Sequence, residues 1–337
     1  MSEKWYNKSG NEGDVVISTR IRLARNLNGF SFPAGMSAEQ KEQVISHVFN
    51  AFPQDGTGAF TCLRMRELSQ WDIGSMVERH LISQDFASHL DGAALLLSPD
   101  ESVSIMVNEE DHIRIQAMHA GLALDEAFQA ANCWDDFLDS RLHFAFDDRL
   151  GYLTQCPTNL GTGMRASVML HLPALQGKGV IQQLANTVSK LGLTIRGLYG
   201  EGSRSEGAMY QLSNQVTLGI TEREAIDNLK SIVAQIVKEE RQYRELLKES
   251  PALEDRVYRA LGVLQNARLL SGKEFMSLIS HVRMGVAMNV LQSIDLNCIS
   301  SLMVEAQPAE LMRQAGRELD ATERDTHRAA MVRERLR

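Results

Sequence analysis

The sequence predicts an α+β protein in which a mainly antiparallel sheet, flanked by helices, is followed by a small all-α C-terminal domain. Two observations lead to this fold class. Short apolar runs rich in β-branched residues alternate with amphipathic segments as far as about residue 220, and everything after Thr221 has helical patterning. The length of 337 residues fits roughly two domains. We predict a catalytic-type domain over residues 1–251 and a helical domain over residues 252–337.

The predicted sheet is built from segments with the composition of strands. The strongly apolar residues 103–106 predict a buried strand, whereas Ile113 and Ile115 alternate with Arg114 and Gln116, as in a strand with one exposed face. Tight connections between such strands are expected to be polar. The predicted strands are residues 15–19, 93–98, 102–108, 113–118, 193–200 and 208–219.

The predicted helices have clear start signals. A capping box, Ser37-x-x-Gln40, opens the first one, and a second box, Thr221-x-x-Glu224, opens a long helix that ends before Pro251. No convincing strand follows this proline. The predicted helices are residues 37–52, 122–146, 179–191 and 221–250, then 252–270, 272–294, 298–305 and 322–336.

Composition excludes several classes of protein. No run approaches ~18 consecutive apolar residues and the N-terminus lacks a signal sequence, so we expect a cytoplasmic protein with no membrane contact. The four cysteines form no CxxC pair, which argues against a zinc site or a disulfide framework. The net charge of −8 argues weakly against nucleic-acid binding and agrees, equally weakly, with a cationic substrate.

Arginines recur in short motifs of the first domain. Arg20 and Arg22 of ISTRIRLARN project from one side of an extended segment, which is typical either of an anion site or of two surface cations on an edge strand. Arg165 follows the flexible turn Gly161-Thr162-Gly163, which is no P-loop because it lacks the GK[ST] ending. Converging arginines, whose planar forks match phosphate oxygens, could hold a triphosphate without a P-loop.

Two further motifs combine arginine with carboxylates. In NEEDHIR, Glu109, Glu110 and Asp111 precede His112 and Arg114; considered alone, this segment is more typical of a solvated, charged turn. In IRGLYGEGSRSEG, Arg196, Glu201 and Arg204 lie in a glycine-rich turn. Cys156 of TQCPTN lies close to the proposed arginines, where positive potential would favour its thiolate; the alternative is a small buried thiol.

With these segments in hand, the chain resembles the guanidino (phosphagen) kinases, the family that includes creatine kinase and arginine kinase. The resemblance is carried by STRIRLARN, NEEDHIRIQ and LTQCPTNLGTGMRASV, which occur in the family's order and spacing. Within the family it is closest to the protein-arginine kinases, through HLIS, IRGLYGEGS, LEDRVYR and RDTHRAA, and it covers essentially the whole chain.

The resemblance implies that ATP is held by arginines, with Mg²⁺ bridging its phosphates. The backbone around residues 18–22, 165–169 and 196–201 is expected to complete the site. The implied nucleotide-binding residues are Ser18, Thr19, Arg20, Ile21, Arg22, His80, Arg114, Arg165, Ala166, Ser167, Val168, Met169, Arg196, Gly197, Leu198, Tyr199, Gly200 and Glu201.

The implied reaction is transfer of the γ-phosphoryl group to a guanidinium nitrogen. Glu110 matches the family's catalytic carboxylate and Glu201 matches a second one, while Cys156 is expected to tune the environment of the guanidinium. Arg204 stands where small-molecule enzymes have a substrate-binding glutamate, and only 17 residues precede STRIR, where those enzymes carry an additional helical domain. These departures favour an arginine side chain on a protein as the acceptor.

The resemblance also assigns roles to the C-terminal region. It implies dimerisation and a phosphoarginine-binding site at RDTHRAA, comprising Arg324, Asp325, Thr326, His327, Arg328 and Ala329. Arg324 and Arg328 are one helical turn apart and could grip a phosphate together, although the spacing alone is more typical of a charged helix face. The implied partners are a Clp-type ATPase, a heat-shock repressor and an activator protein. A small-molecule guanidino kinase and a non-catalytic phosphoarginine-binding adaptor remain the alternatives.

Overall fold

Strand β1 (Val16–Arg25) lies in the interior of an antiparallel sheet that organises the first part of the chain. The structure, a computed structural model, describes residues 3–52, 60–197, 206–248 and 250–337. Within these ranges the sheet has the order β2-β3-β4-β5-β1-β8-β10-β9, and the short pair β6 (Phe146–Asp147) and β7 (Gly151–Tyr152) lies outside it. The other strands are β2 (Thr61–Arg64), β3 (Ala94–Leu97), β4 (Val103–Val107), β5 (Ile113–Ala120), β8 (Met164–His171), β9 (Leu193–Gly197) and β10 (Met209–Asn214).

One face of this sheet is covered by helices. Ile21 and Leu23 of β1 and Val168 of β8 pack there against apolar side chains from α1, α4, α6 and α7, because strand residues two apart share a face. The predicted antiparallel sheet with flanking helices is therefore confirmed. The helices of this part are α1 (Ala38–Ala51), α2 (Gln70–Glu78), α3 (Gln84–Ser88), α4 (Leu124–Leu142), α5 (Pro173–Lys178), α6 (Ile181–Ser189) and α7 (Glu222–Leu247).

The predicted capping boxes are both present. The Ser37 side chain accepts from the amide of Gln40, and the Thr221 side chain accepts from the amide of Glu224. The predicted helix over 122–146 stops earlier, because His143 adopts φ 54° and breaks the hydrogen-bond ladder. Short elements were not predicted: α2, α3, α5 and β2 are too brief to show a period.

Strand β5 differs from its prediction. Gln116 and Met118 are each only 3% exposed, so the strand is not half-exposed. Gln116 donates to the carbonyl of His80 at 2.8 Å, which shows that the segment after α2 covers this face. The apolar run of β4 is buried on both sides, as predicted: Ile105 packs in the main core and Met106 in a smaller core beneath α2 and α3.

Helices make up the regular structure after residue 250 and enclose a core of their own. Phe275, Ile279 and Leu302 are completely buried there. The predicted boundary falls at the start of α8, and a further short helix, α11, was not resolved by the patterning. The helices are α8 (Pro251–Asn266), α9 (Gly272–Ala287), α10 (Leu296–Glu305), α11 (Pro308–Ala315) and α12 (Ala321–Arg335).

The C-terminal helices pack closely on the sheet domain through polar contacts. His171 of β8 is hydrogen bonded to Ser280 of α9 at 2.8 Å, and Arg283 donates to the carbonyl of Gly13 at 2.8 Å. Burial keeps the pKa of His171 well below its ordinary value, so the ring is neutral. No helix in the described ranges combines the length and apolar character that a membrane span requires.

Candidate active site

The register of the sheet places the predicted arginines on one face. Arg22 lies opposite Arg165 of β8, and Ala24 lies opposite Arg114 of β5. Residues directly opposite in antiparallel strands share a face. Arg196 of β9 lies on the same face as well. It is opposite Gln211 of β10, and Gln211 is opposite Met169 of β8, whose side chain shares the face of Arg20 and Arg22. The sheet therefore assembles arginines from four strands opposite its helical layer.

The electrostatics of this face favour an anion. Burial, and then repulsion from Arg114 and Arg165, lowers the pKa of Arg20 to about 10. The pKa of Arg22 is also lowered, first by burial and then by Arg20 and the neighbouring arginines, and its buried Nε has no hydrogen-bond partner within the described ranges. A half-buried guanidinium with an unpaired Nε, placed among other cations, favours a bound polyanion.

The strands themselves cannot supply the backbone contacts that were expected. Both β1 and β8 lie inside the sheet, so the peptide groups of residues 18–22 and 165–169 are used in its ladders. These stretches therefore reach the arginine side of the sheet through their side chains, and their place in the nucleotide site stays a prediction. Ser18, Ser167 and Met169 share the arginine face, whereas the side chains of Thr19, Ile21, Ala166 and Val168 are buried on the opposite face.

Arg114 is held by two neighbouring carboxylates. It donates to Glu109 at 2.6 Å and to Glu110 at 3.1 Å. The Glu109 side chain is only 3% exposed and also accepts from Ser83, while Glu110 is 39% exposed. Asn159 donates to the same Glu110 oxygen at 3.4 Å. Glu109 therefore fixes Arg114, and Glu110 is the carboxylate available to a ligand.

The rest of the NEEDH turn is structural rather than solvated. Asp111 and His112 are completely buried. Asp111 accepts from Asn26 at 2.7 Å and from the amide of Gln155 at 2.8 Å, which ties the turn to the segment before Cys156. His112 accepts from the amide of Leu27 through Nδ1 and contacts the Ser31 carbonyl through Nε2. The solvated-turn interpretation is thus wrong for Glu109, Asp111 and His112.

Cys156 lies at the start of a short 3₁₀ turn on the same side. Its Sγ is 3.0 Å from the hydroxyl of Thr158. Burial, and then repulsion from Arg196 and Arg114, lowers the pKa of Arg165. The glycine turn that follows is tightly packed: Gly163 has φ 60°, and a Cβ there would approach Nη1 of Arg25 to 2.6 Å. This close contact and the positive φ explain why position 163 is a glycine.

A cavity of about 660 Å³ is lined by arginines of the sheet, by Glu110 and by Cys156. Its wall includes Arg22, Arg114, Arg165, Glu110 and Cys156. Of the other predicted residues, Leu198, Tyr199, Gly200, Glu201 and Arg204 lie outside the described ranges, and Gly197 ends β9.

His80 lies beside Arg20, on the arginine side of the sheet. Its φ of 61° is unusual for a residue with a side chain. Burial, then the charge of Arg20, lowers its pKa to about 4, so the imidazole is neutral. Gln211 of β10 was not predicted as part of the site. Its side chain accepts a hydrogen bond from Arg20 at 2.8 Å. The alternation of polar and apolar residues along β10 was the available sequence signal. The pairing of β10 with β8 could not be inferred from that alternation alone.

The RDTHRAA segment lies on α12, away from the cavity. Arg328 is 1% exposed and donates to the carbonyls of Leu270 and Ala306, each at 2.8 Å. Arg324 donates to the carbonyl of Leu319 at 2.8 Å, while Thr326 and His327 are exposed. In this structure both guanidinium groups bind main-chain carbonyls, and the phosphoarginine role stays a prediction.

Comparison with known proteins gives consistent matches along the chain. Residues 40–243 match the family described as "ATP:guanido phosphotransferase, C-terminal catalytic domain", and residues 250–337 match "Protein-arginine kinase McsB C-terminal domain". The chain is 47% identical over 341 residues to a protein-arginine kinase of Moorella thermoacetica, covering 99% of this chain and 97% of that one. It is 44% identical to a protein-arginine kinase of Geobacillus sp. WCH70, covering 99% and 93%.

Solved structures show the same relationship at a greater distance. A lombricine kinase is similar with a TM-score of 0.61 and 25% identity, covering 69% of this chain and 68% of that chain. The duplicated taurocyamine kinase of Schistosoma mansoni, with bound transition-state analogue components, is similar with a TM-score of 0.63 and 26% identity, covering 79% and 40%.

Proposed function

Since the chain belongs to the ATP:guanido phosphotransferase family and, over residues 250–337, shares the C-terminal domain of its protein-arginine kinases, we propose that it phosphorylates arginine side chains of proteins. The chain is a kinase that uses ATP, and its acceptor is arginine. The observation that best supports the chemistry is the pairing of Glu110 with a guanidinium group, that of Arg114, at 3.1 Å in the cavity. A carboxylate already matched to a guanidinium is suited to an arginine acceptor.

In the proposed mechanism, Glu110 activates the acceptor. A guanidinium with a pKa above ~12 is a poor nucleophile, so it must be oriented and must lose a proton. Glu110 aligns its planar fork with the γ-phosphate and accepts the proton as the P–N bond forms and the bond to the β-phosphate oxygen breaks, releasing ADP. Glu201 is proposed as the second carboxylate, and Cys156 as a neighbour of the guanidinium.

The arginine face is proposed to hold the nucleotide. Five arginines would bind the phosphates and neutralise the charge that develops during transfer. They are Arg20, Arg22, Arg114, Arg165 and Arg196. Phosphate binding would also relieve the repulsion among these cations. Mg²⁺ bound together with ATP would supply further neutralisation of the phosphate charge, and no residue of the chain is assigned to hold it.

The proposed function predicts acid-labile phosphate on protein arginines. The chain is incubated with MgATP and an unstructured protein, and phosphoarginine is located by mass spectrometry. Free arginine in place of the protein tests the small-molecule alternative, which expects rapid ATP consumption with free arginine alone. A folded chain that produces no phosphoarginine on any protein, yet binds phosphoarginine, would support the adaptor instead.

We propose in addition that RDTHRAA binds phosphoarginine and regulates the kinase. Its support is the resemblance of the motif together with the position of Arg324 and Asp325, which are half-buried on α12. The two arginines are not equivalent in the structure. Arg328 satisfies two buried carbonyls, whereas Arg324 binds a single carbonyl near the start of α12.

Alanine substitutions are expected to separate binding from stability at this motif. Arg324→Ala should weaken phosphoarginine binding with little change in unfolding free energy. Arg328→Ala should also lower the unfolding free energy by about 1–3 kcal/mol, because the carbonyls of Leu270 and Ala306 lose their donor. Calorimetric titration with phosphoarginine and denaturant unfolding measure the two effects; normal binding by Arg324→Ala would contradict the proposed site.

The wider biological setting is carried by the resemblance alone. We propose that the modified proteins are directed to a Clp-type ATPase, that one target is a heat-shock repressor, and that an activator protein stimulates the kinase. We further propose a homodimer that acts in the cytoplasm during stress. These proposals add partners to the reaction but assign no further residues.

A further inference from the structure

Helix α2 of the sheet domain and helix α11 of the C-terminal domain approach each other very closely. The contact centres on Gly74, where an added Cβ would lie 2.8 Å from Cβ of Ala309. Such a distance is too short for two carbon atoms, so the glycine allows the two backbones to come together. Gly74 lies within the helix and has no positive φ, so packing, not backbone conformation, is what requires it.

Glu78, the last residue of α2, caps α11. Its carboxylate accepts from the amides of Ala309 and Glu310 at 2.9 and 2.8 Å. The helix's own N-cap residue, Gln307, provides no side-chain cap. The first amides of a helix need an acceptor, and a carboxylate also interacts favourably with the helix dipole. One domain therefore completes a helix of the other.

A buried polar cluster extends this contact. Ser75 donates to Glu310, and Arg79, directly after α2, contacts Glu310 with Nε 3.7 Å from the carboxylate and also pairs with Glu101. Arg313 donates to Glu310 at 2.5 and 2.9 Å. This pairing holds the carboxylate of Glu310 in the charged form. The position of α11 thus determines the position of α2 through several directed bonds, not through apolar packing alone.

His80 follows two residues after Glu78. Its left-handed backbone conformation costs energy and persists only where the surroundings hold it. The carbonyl of His80 accepts from Gln116 of β5, and the ring lies beside Arg20 on the nucleotide side of the sheet. Any displacement of the C-terminal end of α2 would therefore move His80 relative to the arginine face.

We propose that the contact between α2 and α11, which we term the α2–α11 latch, positions His80 and so makes ATP affinity depend on the placement of the C-terminal domain. Gly74 and Glu78 are positioning residues in this proposal, which rests on the proposed nucleotide site at the arginine face, where His80 lies beside Arg20. Arg328 extends the link, because it holds the carbonyl of Ala306, the residue before the N-cap of α11. The latch is distinct from the catalytic carboxylates.

The decisive experiment adds a methyl group to α2 at Gly74 and then removes the facing methyl group of α11 at Ala309. Gly74→Ala forces α2 and α11 apart although alanine favours the helix, and the Kd for MgATP should rise about tenfold. Adding Ala309→Gly in the same chain restores the space and should return the Kd towards that of the wild type. Glu78→Gln, which keeps the shape but loses the charge at the helix end, should raise the Kd about threefold.

The matched control is Gly262→Ala, the same exchange within helix α8, where an added Cβ has no neighbour within 4 Å. Its Kd for MgATP should equal that of the wild type. A second readout is the titration of His80 by NMR: its pKa of about 4 should move towards the ordinary value in Gly74→Ala and return in the double variant. A latch that only stabilises the fold would lower the melting temperature and move neither quantity.

Two results would overturn the inference: an unchanged Kd for MgATP in folded Gly74→Ala and Glu78→Gln, or a raised Kd that Ala309→Gly does not restore. If Gly74→Ala fails to fold, Glu78→Gln alone decides. Nucleotide binding is measured without phosphoryl transfer, so the inference and the proposed function fail separately. A wild-type chain that binds MgATP but forms no phosphoarginine contradicts the proposed function only.

Discussion

Replacing Glu110 by Gln is expected to abolish phosphoryl transfer while leaving MgATP binding intact. The amide keeps the size of the side chain but can neither orient a cationic guanidinium strongly nor accept its proton. A positioned acid–base group typically contributes about 10²–10⁴-fold to a rate, and we expect a loss of that size in single-turnover formation of phosphoarginine. ATP binding should persist, because Arg114 remains fixed by Glu109 at 2.6 Å.

Glu109→Gln provides the matched comparison at the adjacent residue. Glu109 is buried and holds Arg114 and Ser83, so its replacement should weaken MgATP binding instead of removing the proton acceptor. Calorimetry with MgATP and mass spectrometry of the product separate the two effects. Wild-type transfer rates in Glu110→Gln would show that the wrong carboxylate was chosen and would direct attention to Glu201.

The regular parts of the fold were predictable because their signals are local. The capping boxes at Ser37 and Thr221 mark helix starts within four residues, and the alternation around Arg20 and Arg22 is a property of one strand. Helix α11 was not predicted, because it is short and its cap comes from Glu78, far away in the sequence. The sequence pattern around α11 cannot indicate a capping residue that lies so far away in the chain.

The site shows the same division. Alternation indicates that Arg20 and Arg22 share a side, but only the strand register brings Arg114, Arg165 and Arg196 to that side. The motif resemblance named these residues without explaining why they meet. It also extended the nucleotide site to whole stretches, whereas the pleat sends Ile21 and Val168 into the core. The burial of Asp111 and His112 likewise depends on distant partners, Asn26 and Gln155 among them.

The arginine face implies that stability and nucleotide binding oppose each other at Arg22. Arginine keeps its proton at physiological pH, so the lowered pKa of Arg22 means that its charge costs folding free energy. Arg22→Met removes a half-buried, repelled cation and should raise the unfolding free energy of the nucleotide-free protein by about 1 kcal/mol. The same change should raise the Kd for MgATP roughly 10- to 100-fold, because hydrogen bonds to charged groups contribute about 1.5–3 kcal/mol.

Thermal unfolding with and without MgATP measures both effects in one experiment. A ligand that binds the folded state raises the melting temperature in proportion to its affinity. Arg22→Met should therefore melt higher than the wild type without nucleotide and gain less when MgATP is added. Arg223→Met, at an exposed cation paired with Asp125 and Asp227, should leave the MgATP-induced shift unchanged and bring no gain in stability. A lower melting temperature for Arg22→Met, with an unchanged MgATP shift, would mean that Arg22 serves the fold. The crowded arginines would then have to be stabilised by something other than the nucleotide.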